Sequence, residues 1–361
     1  MKRLLPILAA IAAGCAPAPG DPERDRERDI DALVRGLPET EERLLALGDE
    51  AVPSLAFAVK RDRDPRLRAR AARALGRVHR ATGNRAAAAA YAEAVETAPP
   101  EARRELLAHA HLFLDPEGQV RSALTAALLT SKDVTPEMLR SLAAITDLEA
   151  LDAMTMWLGA TRSEERVPGR DIAVRYLGRA ARHGRVDAIN ILTLIEGAPE
   201  LAKLISDELT VVAGRITVRN WRGWYLDVAK KKRWEWLAEA MSYHLTEAFD
   251  ATNRAHIDRI VGRMIAGEEL EPEFALLEPL LGRRFGYVSP RDVFDPERPA
   301  SELAEANARA VDTLQAWWRE NSPYAWYDAR SGRWEVNVDA RAAGTPVDPK
   351  TGEIVPKDPP K

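Results

Sequence analysis

DEAVPSLAFAVKRDRDPRLRARAARALGRV, residues Asp49 to Val78, decides the fold class. It holds two short amphipathic runs around a charged turn, Lys60 to Arg66. Val52, Leu55, Ala56 and Val59 recur at helical spacing in the first run. Leu67, Ala71, Ala74, Leu75 and Val78 do so in the second. Pro53 falls in an opening turn, where its missing N–H costs nothing, and Asp64-Pro65 breaks and restarts the chain. One such helical hairpin cannot bury its apolar side alone, so it predicts stacked neighbours.

The unit resembles a HEAT repeat: Ala51-Val52-Pro53 opens the first helix, Asp64-Pro65 makes the turn, and Arg68 to Gly76 form the second helix. Ala69 to Ala102 resembles instead a tetratricopeptide repeat, with Leu75-Gly76, Gly83, Ala88 and Pro100 in register and Tyr91 and Ala94 one position off. Both resemblances imply an all-α chain built as a right-handed α-solenoid of helical hairpins, a fold used mainly for binding. Val120-Arg121 to Leu128 and Ile172 to Gly178 echo Leu67-Arg68 to Gly76, and Arg68, Arg121 and Arg175 are spaced 53 and 54 residues apart.

Working outward, Lys2 and Arg3 precede an apolar run, Leu4 to Ala13, and then Ala12-Ala13-Gly14-Cys15. Small residues before the single cysteine resemble the bacterial lipobox, with Ala12 in place of the commoner Leu. That resemblance implies a signal peptide over 1–14 and lipidation of Cys15, with a tether over 15–28. Several acyl chains, at ~0.8 kcal/mol per buried CH₂, suffice for stable anchoring. Removal of Lys2 and Arg3 takes the net charge from −4 to −6. Ala16 after the cysteine, where Asp would mark retention, resembles outer-membrane lipoproteins and implies a periplasm-facing protein. An ordinary secretory signal with an incidental cysteine is the plainer alternative.

A helical repeat domain is expected over 29–214. Glu137 to Leu158 reads as one amphipathic run, and Ala188 to Val212 as two around Gly197 and Pro199. Composition shifts near Arg215: eight of nine tryptophans lie between Trp221 and Trp334, so 215–340 reads as a separate Trp-rich helical region. Trp221, Trp224, Tyr225 and Val228 share one helical face, and Trp234, Leu237, Met241 and Leu245 another. Ser301 to Asn321 predicts a helix N-capped by Ser301. Tyr324 to Val336 alternates aromatics around Ser331-Gly332 and predicts a small β-hairpin. This ending resembles the tail of bacterial HEAT-repeat proteins. Residues 341–361 read as a disordered tail.

Lysine and arginine number 52 against 56 acids, which disfavours nucleic acid as a partner. His109 and His111, at i and i+2, face apart on a helix and share no metal there. GxSxG, HExxH, P-loop and GxGxxG motifs are absent, so no catalytic residue, cofactor or metal is expected.

Arg66, Arg70, Arg73, Arg77 and Arg80 share one helical face and form a candidate partner-binding stripe for an acidic protein or anionic headgroups; the plainer alternative is a solvated face. Lys230, Lys231 and Lys232 beside Trp234 are candidates for membrane contact, and Trp326 for glycan stacking. The function expected is a lipid-anchored envelope scaffold or adaptor with a protein partner. Its rivals are peptidoglycan binding through the Trp-rich region and a lyase by analogy with HEAT-like lyases.

Overall fold

The computed structural model describes residues 38–113, 119–130, 134–145, 148–161, 167–295 and 297–355. Cys15, the leader and the tether lie outside them. The described residues are mostly helical, with one two-stranded antiparallel sheet near the C-terminus. They fall into two compact units that divide after Ile145.

The first unit runs through α1 (Pro38–Leu47), α2 (Val52–Arg61), α3 (Pro65–Thr82), α4 (Arg85–Thr97), α5 (Pro100–Leu107), α6 (Gln119–Thr130) and α7 (Pro136–Ile145). Pro53 occupies the first turn of α2, and the Asp64 side chain caps α3 by accepting from the Arg66 N–H at 2.9 Å. Gly83 ends α3 in the left-handed conformation, and Asn84 immediately caps α4. Leu55, Val59, Ala71, Leu75 and Val78 are buried, each worth up to about 1.5–3 kcal/mol for the larger side chains. Contacts are local in order. Helix α3 packs on α2, α4 and α5; α4 packs on α6, and α5 on α7. Tyr91 and Phe113 stack with centroids 3.9 Å apart, and the Tyr91 hydroxyl donates to the Leu106 carbonyl at 2.6 Å.

The second unit comprises α8 (Leu151–Ala160), α9 (Arg170–Arg182), α10 (Val186–Ile195), α11 (Ala202–Val212), α12 (Trp221–Val228), α13 (Arg233–Leu245), α14 (Arg254–Arg263), α15 (Glu271–Leu280), α16 (Ala300–Asn321), β1 (Ala325–Asp328), β2 (Arg333–Val336) and α17 (Val338–Ala343). Neighbours again pack in order: α8 on α9, α9 on α10 and α11, α10 on α12, α13 on α15. Strands β1 and β2 pair with Trp326 opposite Glu335 and Tyr327 opposite Trp334.

Five expectations are corrected. The run Glu137 to Leu158 is two helices, α7 and α8, in different units. No boundary stands near residue 215, because C-terminal tryptophans complete the core of the preceding helices: the Trp236 indole donates to the Val212 carbonyl at 3.1 Å, and Trp221 to Ser206 at 3.4 Å. Trp234 does not share the buried face of α13; it is 45 % exposed, and Trp236 goes inside with Leu237, Ala240 and Met241. Ser301 is not an N-cap, since α16 begins at Ala300 after an uncapped Pro299.

The fifth concerns the tail, which is ordered through Val355. Val347 bridges Ile354, the Tyr327 N–H donates to the Pro349 carbonyl at 2.9 Å, and Asp348 caps a turn by accepting from the N–H groups of Lys350 and Thr351. The Pro- and Asp-rich composition, read as disorder, here supplies turn formers, with Thr351 and Gly352, laid against β1. Residues 356–361 lie outside those described.

Candidate functional site

Helix α3 directs Leu67, Ala71, Leu75 and Val78 inward, which leaves Arg66, Arg70, Arg73 and Arg80 exposed on the other side and Arg77 half-buried. The five arginines therefore share one outward face, four of them exposed. At the start of α13 the basic run is partly tied into the fold. Lys231 Nζ pairs with Glu239 at 2.7 Å, and the Lys232 N–H donates to the Glu235 carboxylate at 2.6 Å, closing the helix start. Lys230, Lys232 and Trp234 are exposed. Trp326 is half-buried and lies over Gly352. Trp221, Trp236, Trp318 and Trp334 are core residues, and three of their indole N–H groups meet close acceptors: Trp236 at Val212, Trp318 at Asp258 and Trp334 at Ala251.

The densest polar chemistry lies elsewhere, in the second unit, and was not among the expected sites. Arg182 ends α9 with its side chain 0 % exposed. Its Nη1 donates to Glu208 on α11, while Nε and Nη2 donate to Asp292 Oδ1 at 3.1 and 2.6 Å. Arg291 Nη1 reaches the other Glu208 oxygen at 3.0 Å, and its Nε reaches Glu269 at 2.6 Å. Two further pairs flank this centre, Arg233 with Glu271 and Arg215 with Glu273. His183 Nε2 faces Asp292 Oδ2 at 3.4 Å.

Burial of such charges is unfavourable unless each is paired and hydrogen-bonded. Burial works against the charge on Arg182, but the carboxylates of Asp292 and Glu208 outweigh it and raise its pKa above the ordinary value. Burial likewise works to raise the Asp292 carboxyl; the His183 hydrogen bond and the Arg182 guanidinium overcome it and hold the group at about 2. Glu271 goes the other way. Burial pushes its carboxyl up against the opposing pull of Arg233 and Arg182. Burial also pushes the Tyr287 phenol up to about 12.

The network borders a cleft of 610 Å³ walled by the start of α13, by α15, by the turns over 282–292 and by β2. Arg233, Arg283, Arg284 and Arg333 line it, with Glu271 and Asp292. Ser289 Oγ and Glu271 Oε2 are buried in its wall without a hydrogen-bond partner among the described residues. Phe274 and Tyr287, stacked with centroids 4.5 Å apart, add an apolar side.

One sequence signal points to this network: Glu208 occupies a core position among Ile205, Leu209 and Val212, where a carboxylate requires a partner. Glu271 and Glu273 read simply as acids favourable at a helix start. Asp292 stands 110 positions from Arg182, in a segment without periodicity.

No helix among the described residues is long and apolar enough to cross a membrane, and no group of three or more His, Cys, Asp and Glu among them is placed to hold a metal ion. Set against family models, curated proteins and solved structures, the chain matches none.

Proposed function

We propose that this chain is a lipid-anchored scaffold or adaptor of the bacterial cell envelope, held through Cys15 to the outer membrane and facing the periplasm. Its helices stack as a right-handed α-solenoid of HEAT-like or tetratricopeptide-like hairpins, and the basic face of α3 receives an acidic protein partner. The observation that carries this reading is that face: over an 18-residue helix, one side is apolar and buried and the other presents arginines at offsets 0, 4, 7, 11 and 14. Packing within each unit of several helices on a next or next-but-one neighbour, as of α3 on α2, α4 and α5 and of α9 on α10 and α11, supports the repeat reading. Association by such a face is electrostatic and weakens with salt. The proposal assigns the chain no catalysis.

The test is in-cell crosslinking of the full-length protein with identification of what co-purifies, beside a Cys15→Ala control and an Arg70→Glu/Arg73→Glu variant. One dominant envelope protein, lost in both variants, is the expected result. A partner profile unchanged by the Arg70→Glu/Arg73→Glu variant overturns α3 as the interface. Peptidoglycan fragments alone would favour the glycan-binding alternative, which Trp234 supports because it is exposed beside Lys230 and Lys232.

A further inference from the structure

We propose that the cleft of the second unit is a binding site for a small oxyanion-bearing molecule, its phosphate or carboxylate held by Arg283 and Arg333 and its neutral polar part seated at Ser289 and Glu271. This site is separate from the α3 face and does not depend on the adaptor reading.

The first argument is charge. Four arginines line the cleft. Arg233 is paired with Glu271, and Arg284 lies within electrostatic reach of Glu278. Arg283 and Arg333 have no carboxylate partner among the described residues, and the remaining acid of the wall, Asp292, is engaged by Arg182. The cleft thus keeps an excess of guanidinium charge with no anion among the described residues to match it. A planar guanidinium fork fits phosphate and carboxylate in two-bond geometry.

Preorganisation is the second. The Arg283 guanidinium lies 5.4 Å from the Trp317 ring centroid and 5.9 Å from that of Phe285, so its head is held over aromatic faces. Arg333 emerges from β2 and leans over Gly282, on the same cleft. A charge already placed loses less conformational freedom on binding.

The third is the pair of unpartnered polar atoms. A buried hydroxyl with no hydrogen bond is costly in a folded protein. Ser289, 4 % exposed, and Glu271 Oε2 both bear that cost, and both belong to the wall of this cleft. A ligand that bonds to them removes it. The volume of 610 Å³ lies within the roughly 300–1,000 Å³ typical of small-molecule sites, and the stacked Phe274 and Tyr287 offer apolar contact to the ligand body.

The test uses the full chain purified in detergent, with inorganic pyrophosphate and citrate as probes and titration calorimetry as readout. Saturable binding of at least one probe is expected, weakened at least about tenfold in Arg283→Gln/Arg333→Gln, since the variant removes the charge-assisted hydrogen bonds to the anion. An Arg66→Gln/Arg70→Gln/Arg73→Gln variant is expected to bind like the parent. Ser289→Ala is expected to weaken the probe severalfold while leaving the thermal midpoint of the free protein equal or higher, which a merely structural serine would not do.

Vesicles containing phosphatidylglycerol separate the two sources of such an anion. Binding to them that pyrophosphate displaces assigns a lipid headgroup; binding of soluble probes alone assigns a free ligand. No saturable binding of either probe overturns the site. So does equal loss in the α3 variant, which would mark non-specific charge attraction.

Discussion

Helices α3 and α9 carry nearly the same six residues and use them in opposite ways. Leu75-Gly76-Arg77-Val78-His79-Arg80 matches Leu177-Gly178-Arg179-Ala180-Ala181-Arg182 at the leucine, the glycine and both arginines. On α3 the last arginine, Arg80, is exposed; on α9 its counterpart Arg182 is entirely buried. The glycines explain how. A Cβ at Gly76 would sit 2.5 Å from Leu112 Cβ, so this glycine admits an apolar neighbour. A Cβ at Gly178 would collide with the Glu208 carboxylate, so that glycine admits a charged one. Once Glu208 lies in the core beside α9, Arg182 has a reason to follow it inside, and Asp292 completes the pair. Closely matching local patterns thus end as an exposed arginine face in one unit and a buried ion network in the other, according to what the neighbouring segment brings.

The largest test of this contrast is removal of each arginine. Arg182→Ala is expected to destabilise the second unit by roughly 3–5 kcal/mol in urea unfolding, because buried Glu208 and Asp292 lose their shared guanidinium and keep only Arg291 and His183. Arg80→Ala is expected within about 0.5 kcal/mol of the parent. Equal effects would show that the two helices do not differ as their burial indicates.

Filling the glycines comes next. Gly178→Ala and Gly76→Ala both overpack a helix contact, which costs typically about 1–3 kcal/mol. Both are expected toward the upper end, for different reasons: Gly178→Ala displaces a flexible carboxylate from two arginine partners, and Gly76→Ala meets Leu112 Cβ, which moves only with its backbone. Thermal unfolding of the two variants, read against the parent, measures both losses.

Acid should act on the network at lower pH than on ordinary carboxylates. The Asp292 carboxyl is held below its unfolded value, at about 2 against 3.8. Its contribution is therefore present in full above about pH 4 and lost as pH falls through about 2. At about 1.36 kcal/mol per pKa unit this amounts to roughly 2 kcal/mol. In Asp292→Asn that portion of the pH dependence should vanish; an unchanged acid-denaturation curve would remove Asp292 from the network's energetics.

Within the ion network, the smallest effect is expected at Glu271. Its carboxyl is shifted up, so any stability tied to its protonation is present at low pH and declines as pH rises through the folded value. Glu271→Gln keeps the shape and a neutral group, and the expected change near neutral pH is below about 1 kcal/mol. A loss of several kcal/mol would mean that its ion pair with Arg233 carries the fold there.

Helix–turn–helix units, the turn at Asp64-Pro65, the outward arginine face of α3 and the hairpin around Ser331-Gly332 were all legible from residue spacing and turn chemistry. These features depend on residues a few positions apart, where a period of 3.6 or 2 and one proline suffice. Trp326 was legible as a candidate but not in its surroundings, since Gly352 reaches it through the fold, whereas Lys231 meets Glu239 only eight residues on. The charged cleft was almost invisible. Its members come from α9, α11, α13, α15, β2 and the turns after Gly282, and a single acid or arginine in any of these reads as surface.

What the sequence determined by itself was the all-α class with its small terminal hairpin, because helical and strand periodicity are local properties of the chain. What only tertiary structure decided was which of two matching arginines is buried, which tryptophans are core, and where the ordered tail lies. Each of these depends on the partner that a distant segment supplies, and desolvating a charge is tolerable only where that partner is in place.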